Sequence, residues 1–257
     1  MDATPRTALS PETIVDAAEQ LINDTGTAEW TMRSLSRILS CAPGALYRHF
    51  PGGAGEIAAE IRTRDFARLA AYMGAAEEDA DAPGLGCLDS RSSAARLIRR
   101  CRAYLDFVEA NPSVYQHLFG PLGGEVPPQP DETVERAMIE RPAELIRAAA
   151  QARELNRPVI GHCEATQVAA LLWIQLHGFA HLRLSGIVAG RLDDLEVRLL
   201  VNLLALAGFT VAATPAGLEA AAKAAATPII HASPARKAAA RAANDASPAS
   251  KAANDAR

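Results

Sequence analysis

The chain has 257 residues, of which 49% are hydrophobic and only 5% aromatic, so it can bury a large core and favours alanine-rich helices over strands. The net charge is −4, yet six Lys or Arg and two Asp give the segment from residue 223 onward +4, which leaves about −8 for the rest. Such an acidic body excludes general nucleic-acid binding, so any DNA contact must come from a local cationic surface.

The first predicted helix begins at Ser10-Pro11-Glu12, where serine can cap the helix and proline takes the first helical position. Its apolar residues recur at helical spacing, and Gly26 predicts its end. These apolar residues are Ile14, Val15, Ala18, Leu21 and Ile22.

Thr31 predicts the cap of a second helix, because Trp30 and Leu35 take the two positions of a hydrophobic staple around it. The expected apolar face of this helix is Leu35, Ile38 and Leu39. After a break at 40–42, Pro43 opens a third helix that runs from Gly44 to His49, with Leu46 and Phe50 facing inward. Two short helices braced on a longer one predict a helix-turn-helix.

The stretch 31–50 contains three arginines, one histidine and no carboxylate. Arg33, Arg37, Arg48 and His49 can neutralise phosphates, whereas a carboxylate would be repelled by them. The small residues Gly44 and Ala45 would let the third helix lie deep in the major groove.

The threonine cap followed by the pattern G-A-L-Y-x-H-F at 44–50 resembles the DNA-binding signature of the tetracycline-repressor (TetR) family of bacterial transcription regulators. The resemblance implies that Tyr47 and His49 contact backbone phosphates and that Thr31 and Arg33 hold phosphate at the start of the second helix. The family usually carries a lysine shortly after the phenylalanine, where this chain has Gly53, which predicts weaker phosphate binding there. The complete predicted DNA-binding set is Thr31, Arg33, Arg37, Pro43, Gly44, Ala45, Tyr47, Arg48 and His49.

Further helices are predicted at about 54–82, 90–110, 112–119, 131–155, 162–186 and 192–212. Within them, the pattern Y-x-x-F-x-x-x-x-P-x-x-Y at 104–115 and W-x-x-x-H-G at 173–178 resemble the TetR subgroup with a WHG-type C-terminal domain. The family layout implies an effector cavity among these helices. Its candidate residues are Tyr104, Phe107, Tyr115, His117, Met138, Trp173 and His177.

The predicted organisation is therefore a helix-turn-helix domain at 1–53, a helical ligand-binding and dimerisation domain at 54–212, and a tail at 213–257. The tail repeats Ser-Pro-Ala and Ala-Asn-Asp-Ala units and contains no aromatic residue, which predicts disorder. The four cysteines are widely spaced, and the longest apolar stretch, 199–213, is shorter than the ~18 residues of a membrane span. We expect a cytoplasmic protein with no membrane role and no cofactor.

The leading hypothesis is a repressor that leaves a palindromic operator when it binds a small-molecule effector. A homodimer would form through the helices near 162–186 and 192–212. The leucines expected at this interface are Leu171, Leu172, Leu199, Leu200, Leu203 and Leu206.

Two alternatives remain open from the sequence. His177 and His181 stand four residues apart, a spacing that can hold a metal, so a metal-binding or enzymatic helical bundle is the second hypothesis. DNA compaction through the basic tail is the third.

Overall fold

The computed structural model describes residues 9–25, 30–80, 88–120, 135–156, 161–186 and 193–209. Within these ranges all regular elements are helical, which confirms the all-α prediction; the one isolated β-bridge joins Leu155 and Phe209. The predicted disordered tail, 213–257, lies outside the described residues. The helices are α1 (Pro11–Thr25), α2 (Met32–Ile38), α3 (Pro43–His49), α4 (Ala54–Glu78), α5 (Ser93–Ala110), α6 (Pro112–Phe119), α7 (Arg141–Gln151), α8 (His162–Leu184) and α9 (Asp193–Leu206), with a π-helical turn at Arg136–Glu140.

The contacts divide the described chain into two compact units. The first unit holds α1 to α3, α4 as far as Phe66, and α6 from Ser113; the second holds the rest of α4, α5, α7, α8 and α9. This division follows packing, so the functional boundaries at 53/54 and 212/213 stay predictions.

The core of the first unit is built by residues at helical spacing on four helices. Burial of about ten aliphatic and aromatic side chains supplies most of the free energy that holds these short helices together. The fully buried members are Ile14, Val15 and Ala18 on α1, Leu35 on α2, Leu46 on α3, and Ile57 and Ile61 on α4.

The apolar face of α2 differs from the predicted one. Met32 and Leu35 are buried and Leu39 is half-buried, but Ile38 is 54% exposed. The inner stripe follows the spacing 32, 35, 36, 39, so Ile38 falls beside Arg37 on the outer side.

The turn between α2 and α3 is a Schellman motif. The Cys41 N–H donates to the Ser36 carbonyl at 3.0 Å and the Ser40 N–H donates to the Arg37 carbonyl at 3.2 Å. Ser40 takes the left-handed position with φ 50°, where glycine is usual. The turn therefore carries a small steric cost in exchange for satisfied helix carbonyls.

A buried polar cluster attaches α6 to α4 inside the first unit. His117 Nδ1 lies 3.1 Å from Asp65 Oδ2, and both side chains are essentially inaccessible to solvent. Arg62 donates from Nε to the His117 carbonyl at 3.0 Å and from Nη2 to the Gly120 carbonyl at 3.3 Å, so its charge caps the end of α6. The C-terminal turn of α6 is thereby held by charged hydrogen bonds.

The helix predicted for 131–155 is shorter and less regular than expected. The π-helical turn at 136–140 passes directly into α7, and α7 ends at Gln151. Pro142 explains the turn, because proline has no N–H to donate to the carbonyl four residues earlier. Arg153, with φ 59°, ends α7 in a second left-handed turn.

The leucines predicted at a dimer interface divide into two groups. Leu172, Leu200 and Leu203 are buried within their own chain, so they serve its core. Leu199 and Leu206 are half-buried, and Leu171 is exposed. Other large apolar side chains that are exposed on α8 and α9 are Ile174, Leu182 and Leu195.

We predict that Ser40→Val lowers the free energy of unfolding by about 1–2 kcal/mol, because a β-branched residue fits the left-handed region poorly. Ser40→Gly should be as stable as the parent protein or more stable. Urea unfolding followed by circular dichroism measures both, and equal losses for valine and glycine would show that the backbone of Ser40 carries no strain.

Candidate DNA-recognition site

The outer face of α3 is formed by Gly44, Tyr47 and Arg48, which share one side of the helix at spacings of three and four residues. All three are exposed, and the Tyr47 side chain is 48% accessible. Leu46 points into the core from the opposite side and is fully buried. Pro43 is also exposed, while Ala45 and His49 are half-buried. One helix thus has a face for the core and a face for a partner.

Gly44 is not required by the packing of the chain. A methyl group built on its Cα would have no atom within 4 Å, and its backbone is not left-handed. A glycine in a helix costs up to ~1 kcal/mol relative to alanine. The open space above Gly44 therefore suits close approach of an external surface.

Cations surround this face without internal counter-ions. Arg33, Arg37 and Arg48 are all exposed, and none of them forms an ion pair within the described part of the chain. Arg64 shows the contrast, since it pairs with Asp16 at 2.7 Å and with Glu60 at 3.4 Å. The positive charge of the three arginines is therefore available to an anionic partner.

The start of α2 is fixed by a capping box that the sequence interpretation did not include. Thr31 Oγ1 accepts from the Ser34 N–H at 3.1 Å, and Ser34 Oγ accepts from the Thr31 N–H at 2.8 Å. The predicted Trp30–Leu35 staple is present as a buried pair. Thr31, although exposed, is thus already engaged in holding α2.

Gly53 carries Tyr47. Its φ is +67°, and a methyl group on its Cα would lie 3.1 Å from Tyr47 Cε1. Its carbonyl accepts from the Ile57 N–H at 3.3 Å, which makes it the residue that starts α4. A glycine is needed here both for the left-handed backbone and for the space under the tyrosine ring.

The second unit contains an apolar crevice bounded by α4, α5, the π-helical turn, α7 and α8. Of the predicted ligand-binding residues, Met138 and Trp173 line it. Cys101 also lines it, and burial raises the pKa of its thiol to about 12, so it is a protonated packing group. The other crevice residues are Met73, Leu97, Arg100, Pro142, Ala169, Leu172 and Leu176.

The remaining predicted ligand residues lie elsewhere. Tyr104 is fully buried and its hydroxyl is 2.9 Å from His177 Nδ1, while Phe107 packs on Tyr72 with ring centroids 5.6 Å apart. Tyr115 and His117 belong to the first unit, where they are buried beside α4 and Phe119, so they do not line this crevice. The aromatic spacing along α5 and α6 did not distinguish these two environments.

Burial lowers the pKa of His177, with a smaller contribution from His181 in the same direction. A neutral imidazole is what the contact with the Tyr104 hydroxyl requires if nitrogen is the acceptor. Within the described ranges, no three His, Cys, Asp or Glu side chains are grouped closely enough to hold a metal ion. The searched helices also include none with the length and apolarity to cross a bilayer.

Two family models match the chain. The model described as "Bacterial regulatory proteins, tetR family" matches residues 14–54, which contain the capping box and α3. The model described as "Tetracyclin repressor-like, C-terminal domain" matches residues 97–204, which contain the crevice. Together they span more than half of the sequence. The chain belongs to the TetR family.

The relatives agree with this assignment. YobS of Bacillus subtilis (strain 168), an uncharacterised HTH-type transcriptional regulator, is 28% identical over 113 residues, or 44% of this TetR-family chain. The match spans only 53% of the length of YobS. The assignment to the WHG-type subgroup stays a prediction.

Solved structures share the fold. A protein of unknown function from Rhodococcus sp. RHA1 aligns with a TM-score of 0.56 at 20% identity, covering 80% of this chain and 95% of its own. The crystal structure of SCO4313 aligns with a TM-score of 0.51 at 23% identity, covering 76% and 95%. At these identities the likeness concerns the fold alone.

We predict that restoring the usual TetR lysine with Gly53→Lys lowers the free energy of unfolding by about 1 kcal/mol or more and does not tighten DNA binding. The added cation would be offset by the strained backbone and by displacement of Tyr47. Gly53→Ala is the matched control, because it introduces the same strain without charge. Thermal unfolding and fluorescence anisotropy with promoter DNA test both variants, and tighter binding by the lysine variant alone would refute the expectation.

Proposed function

We propose that this TetR-family protein is a DNA-binding transcription regulator, a repressor that acts in the cytoplasm as a homodimer on a palindromic operator. The observation that carries the proposal is the outer face of α3, where exposed residues, unpaired arginines and an unconstrained glycine coincide. No carboxylate interrupts the sequence of this region from 31 to 50. Such a surface is suited to a polyanion.

The residues take complementary roles in this proposal. Arg33, Arg37 and Arg48 neutralise phosphates, and the Tyr47 hydroxyl donates to a phosphate oxygen. Gly44 lets the backbone of α3 approach base edges, where the Ala45 methyl can meet a thymine methyl. Phosphate contacts set the register of α3 in the groove, and groove contacts select the sequence.

We predict that Gly44→Leu weakens operator binding at least tenfold while the free energy of unfolding changes by less than about 1 kcal/mol, since the leucine meets no atom of the chain. Gly74→Leu is a matched control, because Gly74 is another helical glycine with open space above it. Binding to fragments of the neighbouring promoters is measured by fluorescence anisotropy. Retention of full affinity by Gly44→Leu would place the DNA contact elsewhere.

Tyr47→Ala provides a second test of the same face. It should abolish retention of the operator fragment in a gel-shift assay and leave the oligomeric state unchanged. Because Tyr47 is half exposed, its removal opens no cavity in the core.

The proposed dimer uses an apolar stripe on α8 that consists of Leu171, Ile174 and Leu182. These residues lie at successive helical turns on one side, Ile174 is 62% exposed, and Gly178 lies between them with no atom near its missing side chain. Exposed apolar side chains in such a row are typical of helix-to-helix contact between protomers.

We predict that the double substitution Ile174→Glu with Leu182→Glu shifts the protein to monomers at micromolar concentration, because unpaired charges would be buried at the interface. Gln151→Glu, an exposed position on α7, is the control for added charge. Analytical ultracentrifugation measures the oligomeric state. A dimer that survives the double substitution would assign the interface to another surface.

The effector response follows from linkage between two sites. A small molecule that binds preferentially to the conformer with mispositioned α3 helices shifts the population away from the operator-bound form. Helix α4 runs from the residue that supports Tyr47 to Glu77 beside the crevice residue Arg100, so it is the proposed connection.

A further inference from the structure

Two buried N–H donors of the crevice have no acceptor within the described residues. They are Nε of Arg100 and Nε1 of Trp173, on α5 and α8 respectively, and both side chains line the crevice. A buried donor without a partner costs about 1–3 kcal/mol, and folded proteins rarely keep one without a reason. Two such donors at one apolar crevice indicate a missing acceptor.

Arg100 is more than nine-tenths buried, with 4% of its side chain exposed. Its Nη1 lies 3.3 Å from Glu77 Oε2, and its Nη2 donates to the Ala137 carbonyl at 2.5 Å. Burial lowers the pKa of the Arg100 guanidinium, and Glu77 acts in the opposite direction. The Nε–H remains the unused donor of this group.

The countercharge of Arg100 is shared. Glu77 also pairs with Arg96 at 2.8 Å and with Arg141 at 2.5 Å, so one buried carboxylate serves three guanidinium groups. The deeply buried Arg99 adds a further cation, which donates to the Glu77 carbonyl rather than to its carboxylate. A second buried anion would therefore find incomplete neutralisation next to Arg100.

A single water molecule is a poor occupant. The crevice has a volume of about 20 Å³, enough for one water. That water could accept from both N–H groups, but its own two hydrogens would face side chains that are almost all apolar. A carboxylate only accepts, so its chemistry matches two donors without leaving an unpaired hydrogen.

The walls of the crevice are built to yield. Met73 and Met138 face it from two sides, and their unbranched side chains adapt to differently shaped neighbours. Met138 lies in the π-helical turn, the least regular part of the second unit's described helices. Movement of this wall would enlarge the apolar space beside the two donors.

We propose that the crevice is the effector site and that its ligand is an apolar molecule bearing a carboxylate. The carboxylate oxygens accept from Arg100 Nε and Trp173 Nε1, and the apolar part displaces Met73 and Met138. This inference rests on the proposed regulatory function and names the chemical class of its effector. Because Arg100 also holds Glu77 of α4 and the Ala137 carbonyl, a ligand that draws on its guanidinium alters contacts of α4.

The test is isothermal titration calorimetry of the full-length dimer without DNA. The probes are octanoate, decanoate and 4-phenylbutyrate, each beside the alcohol of the same carbon skeleton. We expect at least one carboxylate to bind with a Kd below about 100 µM and its alcohol at least tenfold more weakly. Equal binding of acid and alcohol, or no binding by the whole panel, would overturn the proposal.

Substitutions locate the site. Trp173→Phe keeps the ring shape but removes the donor, so the bound carboxylate should lose roughly tenfold in affinity. Trp30→Phe is the matched control, because Trp30 Nε1 is also buried without a partner but lies in the first unit. Arg100→Met should abolish binding, with the fold checked by circular dichroism; if that variant fails to fold, Trp173→Phe alone decides. Equal effects of the two tryptophan substitutions would refute the assignment.

Failure of this inference is distinguishable from failure of the proposed function. Operator retention is measured without ligand, and carboxylate binding is measured without DNA. Operator binding with no carboxylate binding removes only the effector class. A carboxylate that depends on Trp173, bound by a protein that retains no promoter fragment, would leave the crevice assignment and remove the regulatory role.

Discussion

A helix of seven residues has almost no stability of its own in water, because nucleation consumes more entropy than its few hydrogen bonds return. Helix α3 keeps its shape only because Leu46 and Phe50 are buried against α1, α2 and α4. Burial of two such side chains contributes roughly 3–6 kcal/mol. The direction in which Tyr47 and Arg48 point is therefore set by packing on the opposite side of the same helix.

The local signals of the first unit could be predicted from the sequence because each is encoded within a few residues. A threonine cap, a Trp30–Leu35 staple and a proline at the first position of α3 each act through a neighbouring turn of backbone. The error at Ile38 has a tertiary origin. An apolar residue beside two inward-facing ones fits an apolar stripe on paper, and only the crossing of α2 over its neighbours decides which edge of the stripe is covered.

The second unit was less predictable because its polar groups are satisfied over long sequence distances. Residues 96–102 of α5 contain four arginines, a density typical of a solvated face, yet Arg99, Arg100 and Arg102 are buried. Their burial depends on carboxylates and carbonyls from other segments, such as Glu77. Composition and periodicity carry no information on such pairing. For the same reason, aromatic residues suggested a cavity lining that includes Tyr115 and His117, whereas a buried arginine lies at the crevice.

Gly44 has a consequence for how the protein can diversify. Since no atom of the chain constrains this position, a larger residue there leaves the margin of stability almost untouched. Most changes that alter recognition also disturb folding and are lost before their new property can be selected. Here the two effects are separated at one position, so duplicated genes could drift toward different genomic targets by single-codon steps while each descendant still folds.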